Sequence, residues 1–285
     1  MRPPRDTRPP VARPFRSAAP GGRTVYVVHP GALPAVVHQG LADALPDGDG
    51  LTVLDLGAVA EYADAALTGG RAATTVADLA DRLLAAMAPV NGPWTLVGWS
   101  FGGVLAHAMT RSLPAGRLPE RLVLLDSIAP TEEYQQPDDA LEPALLLGWF
   151  AMYLGAKRGR TVALAPDALA GRDVDDGLPV VLDAALAAGA LLPGTPLPGL
   201  RKLYDTYVDG LLRNNRLTAP HRPGPAPLPL VLVKAERSLI PGDPTLGWRP
   251  LARHGLALHT CPGDHYTMLS RPDALGVIAP LLAAA

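Results

Sequence analysis

Short, almost wholly apolar runs recur along the chain, separated by longer stretches with helical spacing. Residues 24–29 (TVYVVH), 51–56 (LTVLDL), 94–98 (WTLVG), 121–126 (RLVLLD) and 228–235 (LPLVLVKA) read as strands, and 257–261 (ALHTC) more weakly so. The runs do not alternate apolar with polar, which is the pattern of strands covered on both faces of a parallel sheet. Helical spacing is found near residues 33–45, 72–90, 102–113 and 267–284. Strand and helix in alternation predict an α/β fold with a mostly parallel sheet and helices on both faces, of the doubly wound or hydrolase type.

The alternation fails once. From about residue 130 to 222 no strand pattern occurs, and helical stretches fall near 139–157, 178–190 and 199–217. A helical insertion covering the strand ends is expected there, although a crossover carrying extra helices has the same signature. The segment 221–229 (HRPGPAPLP) serves as a stiff return linker.

Composition refines this picture. Apolar residues make up 48% of the 285-residue chain but aromatics only 5%, so the core is built from Ala, Leu and Val. A net charge of −2 argues against nucleic acid as partner. Of 25 basic residues, six lie within residues 1–23, together with only one of the 27 acidic ones. Residues 1–22 therefore read as a disordered, basic Pro/Arg-rich tail ahead of an acidic body at 23–285. The tail lacks the apolar core of a secretory signal, and no uninterrupted apolar stretch reaches the ~18 residues of a membrane span. A soluble cytoplasmic protein is expected. The single cysteine, Cys261, excludes an internal disulfide and a cysteine-cluster metal site.

The strongest chemical signal is Gly98-Trp99-Ser100-Phe101-Gly102-Gly103. It fits G-x-S-x-G in the setting that motif needs, with a strand before it and a helix after it. Glycines at 98 and 102 allow close backbone approach. Ser100 then stands at a helix N-terminus, which favours developing negative charge. A serine capping a helix is the bland alternative.

A serine hydroxyl needs a base, and histidine titrates nearest to neutral pH. Seven are present: His29, His38, His107, His221, His254, His259 and His265. In strand–turn–helix serine hydrolases the base follows the last strand, which selects His265 in PGDHYTML. His107 is expected to be packed along its helix, His254 solvated and His259 structural. Two acids end strands, Asp126 and Glu236, and local chemistry does not choose between them. The backbone N–H of Phe101 is one expected oxyanion donor. The loop His29-Pro30-Gly31-Ala32 offers a second, with Ala32 the better donor because Pro30 has no N–H.

Together VVHPGA, GWSFGG, LVLLDS and GDHYTML resemble the thioesterase domains that end nonribosomal peptide and polyketide synthetases. The likeness runs from about Thr24 to Leu282 and is weakest in the inserted region. It implies an α/β-hydrolase fold with a helical lid, and Asp126 rather than Glu236 as the acid of a Ser100–Asp126–His265 triad. It also implies Phe101 and Ala32 as oxyanion donors. The loop HPGAL departs from the longer glycine run of many relatives. The implied activity is release of an acyl, peptidyl or polyketide chain from a phosphopantetheine carrier protein, by hydrolysis or ring closure, in secondary-metabolite biosynthesis. No cofactor or metal of its own is implied; the acyl or peptidyl carrier protein and its acyl chain are the expected partners. Lys157, Arg158 and Arg160 are candidates to meet an acidic carrier, or else a solvated helix end. A carboxylesterase or lipase acting on small esters is the alternative. A free-standing enzyme and a terminal domain are both compatible with the sequence.

Overall fold

The apolar runs pair in register to make the centre of a seven-stranded sheet of order β1-β3-β2-β4-β5-β6-β7. The computed structural model describes residues 9–69, 74–90 and 92–283. The strands are β1 (Ala12–Arg16), β2 (Thr24–His29), β3 (Gly50–Asp55), β4 (Trp94–Trp99), β5 (Arg121–Leu125), β6 (Leu230–Arg237) and β7 (Leu256–Asp264). From β3 across to β7 every neighbouring pair is parallel.

Successive side chains of a strand point to opposite faces, and the central strands bury both. Val25, Val27, Val97, Trp99, Val123 and Leu125 enter one core; Tyr26, Val28, Leu96, Leu122 and Leu124 enter the other. Helix α1 (Gln39–Ala44) and the closing helix α8 (Pro272–Ala283) cover the first face. On the second lie α2 (Ala60–Leu67), α3 (Val76–Ala86) and α4 (Phe101–Ser112). Helix α3 shows how sequence sets an element. Thr75 and Asp78 form a reciprocal capping box, and Val76, Leu79, Ala80 and Leu83 supply one buried stripe.

The tail departs from its expectation. Ala12–Arg16 forms an antiparallel edge strand against β3, with an irregularity between Pro14 and Arg16. Proline is tolerated at an edge or bulge, where the ladder does not need its N–H. The arginines anchor the strand: Arg13 pairs with Asp55, and the Arg16 guanidinium donates to the carbonyls of Asp49 and Leu45. Residues 1–8 of the tail, 72–73 of the helix read at 72–90, and 284 of the last helix lie outside the described residues. The expected helix at 267–284 is in fact a short 3-10 turn, Thr267–Leu269, followed by α8.

Between β5 and β6 the chain leaves the sheet to form the lid: α5 (Pro143–Ala156), α6 (Val174–Ala187) and α7 (Leu197–Thr218). Helix α5 is apolar all round, and its Leu146, Leu147, Trp149, Phe150 and Tyr153 are buried. Such a helix calls for cover on most sides, here by α6 and α7, while Leu145 stays exposed. Hydrogen bonds tie the lid to the body. Trp149 Nε1 donates to the carbonyl of Leu239 at 3.1 Å, and the hydroxyls of Tyr207 and Tyr266 meet at 2.7 Å. No helix among the described residues is long and apolar enough to cross a membrane.

Candidate active site

The chain runs outward from β2 to β3 and then returns to the other side of β2 as β4. Such a reversal opens a crevice at the carboxyl ends of the strands, where ligands of α/β sheets bind. Ser100 is the first residue beyond β4 on that edge and the last before α4. Its backbone is strained, with φ 53° and ψ −129°, a conformation that costs about 1–3 kcal/mol in a non-glycine residue. The surrounding glycines make the turn possible. A Cβ on Gly98 would lie 2.4 Å from Gly103 Cα, and one on Gly102 would lie 2.2 Å from the carbonyl oxygen of Val28. Gly103, which motif reasoning left without a role, is equally constrained: its Cβ would fall 2.2 Å from Ser127 Oγ.

Asp126 follows β5 in the same row and has a left-handed φ of 42°, which turns its side chain out of the strand. It is buried, and its two oxygens are both used. Oδ1 accepts the Ala235 backbone N–H at 3.1 Å, and Oδ2 lies 2.8 Å from His265 Nδ1. The carboxylate therefore assigns the proton to Nδ1 and leaves Nε2 as the acceptor. Glu236, the other acid ending a strand, is exposed. His265 follows β7 directly and is 1% exposed. Its carbonyl accepts the indole N–H of Trp99 at 2.9 Å, and its ring packs 5.3 Å from the Trp99 ring. Trp99 precedes Ser100, so the serine turn and the histidine loop share one fixed neighbour.

Asp264, which sequence reasoning passed over, holds the histidine loop. Its Oδ1 accepts the N–H groups of Tyr266 and Thr267 at 3.1 and 2.9 Å, and its Oδ2 accepts from Arg237 at 2.9 Å. The D-x-x-T spacing is the readable signal of such a turn. Gly263 supplies the preceding φ of 98°.

His29 and His38, considered only as bases, instead fasten the loop after β2. His29 Nε2–H donates to the Leu33 carbonyl at 2.7 Å, and its Nδ1 accepts from His38 Nε2 at 3.1 Å. Burial lowers the pKa of both, and the second imidazole adds to this for His38. Neutral rings are what this donor–acceptor chain needs. Ala32 is exposed on the loop thus held, and β2 pairs with β4 so that Val28 faces Gly98. The loop therefore emerges beside the serine turn. Phe101 opens α4, where the first helical N–H groups have no intrahelical acceptor.

His107 is buried against Trp248, His254 is exposed and His259 lies within β7. Burial pushes the Cys261 thiol up to about 12, so it is no competing nucleophile at neutral pH.

A cavity of about 490 Å³ opens above Ser100 and Phe101, a size suited to a small-molecule ligand. Leu145 and Trp149 of α5 with Leu239 and Ile240 form an apolar wall, and Leu211, Asn214, Asn215 and Thr218 of α7 form a more polar one. A larger groove of about 830 Å³ is lined by Leu84, Met87, Trp94 and Leu113. It opens at the other end of β4, roughly 20 Å from Ser100 at ~3.3 Å per strand residue.

A mostly parallel sheet, a strained serine between strand and helix, and a lid inserted after the fifth strand define an α/β-hydrolase. Within that class the chain belongs to the thioesterase-domain family, whose model matches residues 23–280. A sequence relative is the chondramide synthase CmdD of Chondromyces crocatus, 26% identical over 217 residues. The match covers 73% of this chain and 5% of that synthase. Among solved structures, the four-domain nonribosomal peptide synthetase AB3403 superposes with a TM-score of 0.62 at 25% identity, over 96% of this chain and 20% of its own. The Vlm2 thioesterase domain shares the fold with a TM-score of 0.54 at 19% identity, over 95% of both chains.

Proposed function

We propose that the chain releases acyl or peptidyl groups from the phosphopantetheine arm of a carrier protein, through an acyl-enzyme on Ser100. The observation that carries this reading is the buried Asp126–His265 hydrogen bond at the strand edge bearing strained Ser100. Membership of the thioesterase-domain family supports the thioester as substrate. That the chain matches a small part of a chondramide synthase and of a four-domain nonribosomal peptide synthetase supports a carrier-bound one.

His265 Nε2 takes the hydroxyl proton as Ser100 Oγ attacks the thioester carbonyl carbon. Asp126 holds the Nδ1–H tautomer and stabilises the imidazolium. The N–H groups of Phe101 and Ala32 receive the oxyanion. The tetrahedral intermediate collapses with breakage of the C–S bond, and the imidazolium returns its proton to the leaving sulfur. Water, or an amine or hydroxyl of the acyl chain itself, then attacks the ester with His265 as base. The product is an acid in the first case and a ring in the second, and Ser100 is regenerated. Lys157, Arg158 and Arg160, exposed together at the end of α5, form the docking patch for an acidic carrier.

The test is intact-protein mass after incubation with carrier-bound and small-molecule acyl thioesters. The parent gains one acyl mass and Ser100→Ala gains none. Fluorophosphonate labelling of Ser100→Ala equal to that of the parent would refute the assignment of the nucleophile. Turnover of simple esters far above thioesters, with indifference to a carrier, would replace the reading by a carboxylesterase.

A further inference from the structure

We propose that Asn214 is a specificity-determining residue of the Ser100 site, donating a side-chain N–H to an amide carbonyl in the acyl chain close to the reacting thioester. The inference rests on the thioesterase reading above and adds the chemistry of the chain being read.

The orientation of the Asn214 amide is set by a residue far away in sequence. Asn214 Oδ1 accepts the hydroxyl proton of Tyr62 at 2.7 Å. Tyr62 is buried, and its oxygen also accepts from Arg213 Nη2 at 2.9 Å, while the same guanidinium lies 4.3 Å from the centre of its ring. A phenol that accepts from a cation has its single proton free to give, and Asn214 Oδ1 is the short acceptor for it; the Pro30 carbonyl is longer, at 3.4 Å. Burial raises the Tyr62 pKa, which keeps it a donor at neutral pH. With Oδ1 so engaged, Nδ2 is the free end of the amide of this cavity-lining residue, and it has no hydrogen-bond partner among the described residues.

The other polar groups on this wall of α7 are already engaged. Asn215 Nδ2 donates to the Gln136 carbonyl and to Asp138, and Thr218 Oγ1 donates to the Asn214 carbonyl. Asn214 therefore holds the one uncommitted side-chain donor among the polar residues that α7 contributes to the cavity. Tyr62 also stacks on Phe101, with ring centroids 6.4 Å apart, so this donor is positioned relative to the residue that follows the nucleophile. Facing it are Leu145 and Trp149. A chain with an amide carbonyl on one edge and apolar side chains on the other satisfies both walls. A plain alkyl chain of equal length would cover Nδ2 without giving it an acceptor, and such a buried, unpaired donor lowers selectivity for that chain by about 10- to 100-fold.

The experiment compares kcat/KM for two N-acetylcysteamine thioesters of equal length, one an N-acyl-aminoacyl thioester and the other the alkanoyl analogue. The parent is expected to prefer the amide-bearing chain by about 10- to 100-fold. Asn214→Leu brings the ratio to within about three-fold. Asn214→Asp keeps the acceptor for Tyr62 and the shape but has no donor, and brings the ratio down likewise. Melting temperature serves as the control for folding, and the aspartate variant carries the test if the leucine variant does not fold. Equal kcat/KM for the two chains in the parent, or an undiminished ratio in Asn214→Asp, overturns the role of Asn214 and leaves the thioesterase reading standing. Turnover of neither thioester, with Ser100 still labelled by fluorophosphonate, overturns the thioesterase reading and this inference with it.

Discussion

Replacing Asp126 by Asn separates what its carboxylate does for the fold from what it does for the histidine. Asp126 has a φ of 42°, and Asn adopts positive φ at least as readily, so the backbone is not penalised. The amide oxygen can still accept the Ala235 N–H now bound at 3.1 Å. The amide nitrogen then faces His265 Nδ1, where an acceptor stood at 2.8 Å. Two donors cannot share that contact, so the imidazole moves its proton to Nε2. A protonated Nε2 cannot take the proton from Ser100. In serine hydrolases this loss of tautomer costs about 10⁴-fold in rate, or roughly 5 kcal/mol of barrier at 1.36 kcal/mol per tenfold. Stability should fall by less than about 1 kcal/mol, because the buried backbone donor keeps an acceptor. Asp126→Ala leaves that donor unpaired and should cost about 1–3 kcal/mol in addition to the rate loss. The assay pairs the second-order rate constant of fluorophosphonate labelling with urea unfolding for parent, Asn and Ala forms. An Asn variant labelling within tenfold of the parent would refute the reasoning, since His265 would then keep its working tautomer without the carboxylate.

Three further outcomes follow from the same structure. Burial holds His107 down to about 4, with Arg111 and His221 adding like charge. A histidine buried neutral binds fewer protons than in the unfolded chain, where its pKa is about 6.5. Stability is therefore complete above pH 6.5 and falls as pH drops toward 4, by about 3 kcal/mol from this group; urea midpoints that did not shift across this range would contradict it. Gly102→Ala drives a methyl to 2.2 Å from the Val28 carbonyl. Backbone must move at the serine turn, so the melting temperature should drop by several degrees for the ~1–3 kcal/mol typical of overpacking, with labelling of Ser100 slowed. Reversing Lys157, Arg158 and Arg160 to Glu should raise KM for a carrier-bound thioester about tenfold and leave N-acetylcysteamine thioesters unaffected, as paired kinetics would show.

The parts of the fold readable in sequence are those whose pattern is set by burial alone. β2, β4 and β5 lie in the middle of the sheet and are covered on both faces, so each appears as an unbroken apolar run. β1 is an edge strand rich in Arg and Pro, held by its ladder to β3, one ion pair to Asp55 and backbone acceptors in the turn before β3; nothing local distinguishes it from a solvated tail. Helix α2, Ala60–Leu67, is short and carries only Tyr62 and Ala65 as buried residues, too few to show a period. The serine turn was legible because strand, glycines and helix are consecutive. The choice between Asp126 and Glu236 was not, because both end strands and only tertiary placement makes one buried and the other exposed. The His29–His38 pair and the Tyr62–Asn214 contact, the latter 152 residues apart, likewise arise only when the chain is folded.

The lid leaves from the end of β5 and returns into β6, two strands that are direct neighbours, with Leu122 opposite Leu230. The two strands run parallel, so about a hundred residues leave at the carboxyl end of β5 and re-enter at the amino end of β6, roughly 13 Å further down the sheet at ~3.3 Å per residue. Asp126 stands at the exit, and its Oδ1 grips Ala235 near the carboxyl end of β6, so the exit is pinned to the neighbouring strand by the same carboxylate that orients His265. Closing a flexible loop of twice the length costs only about 0.6 kcal/mol more. The helical part over the Ser100 cavity is therefore an exchangeable module on a fixed mount. Its helices could be shortened, extended or grafted from another chain while the serine, histidine and aspartate keep their places, provided the Asp126–Ala235 clasp stays shut.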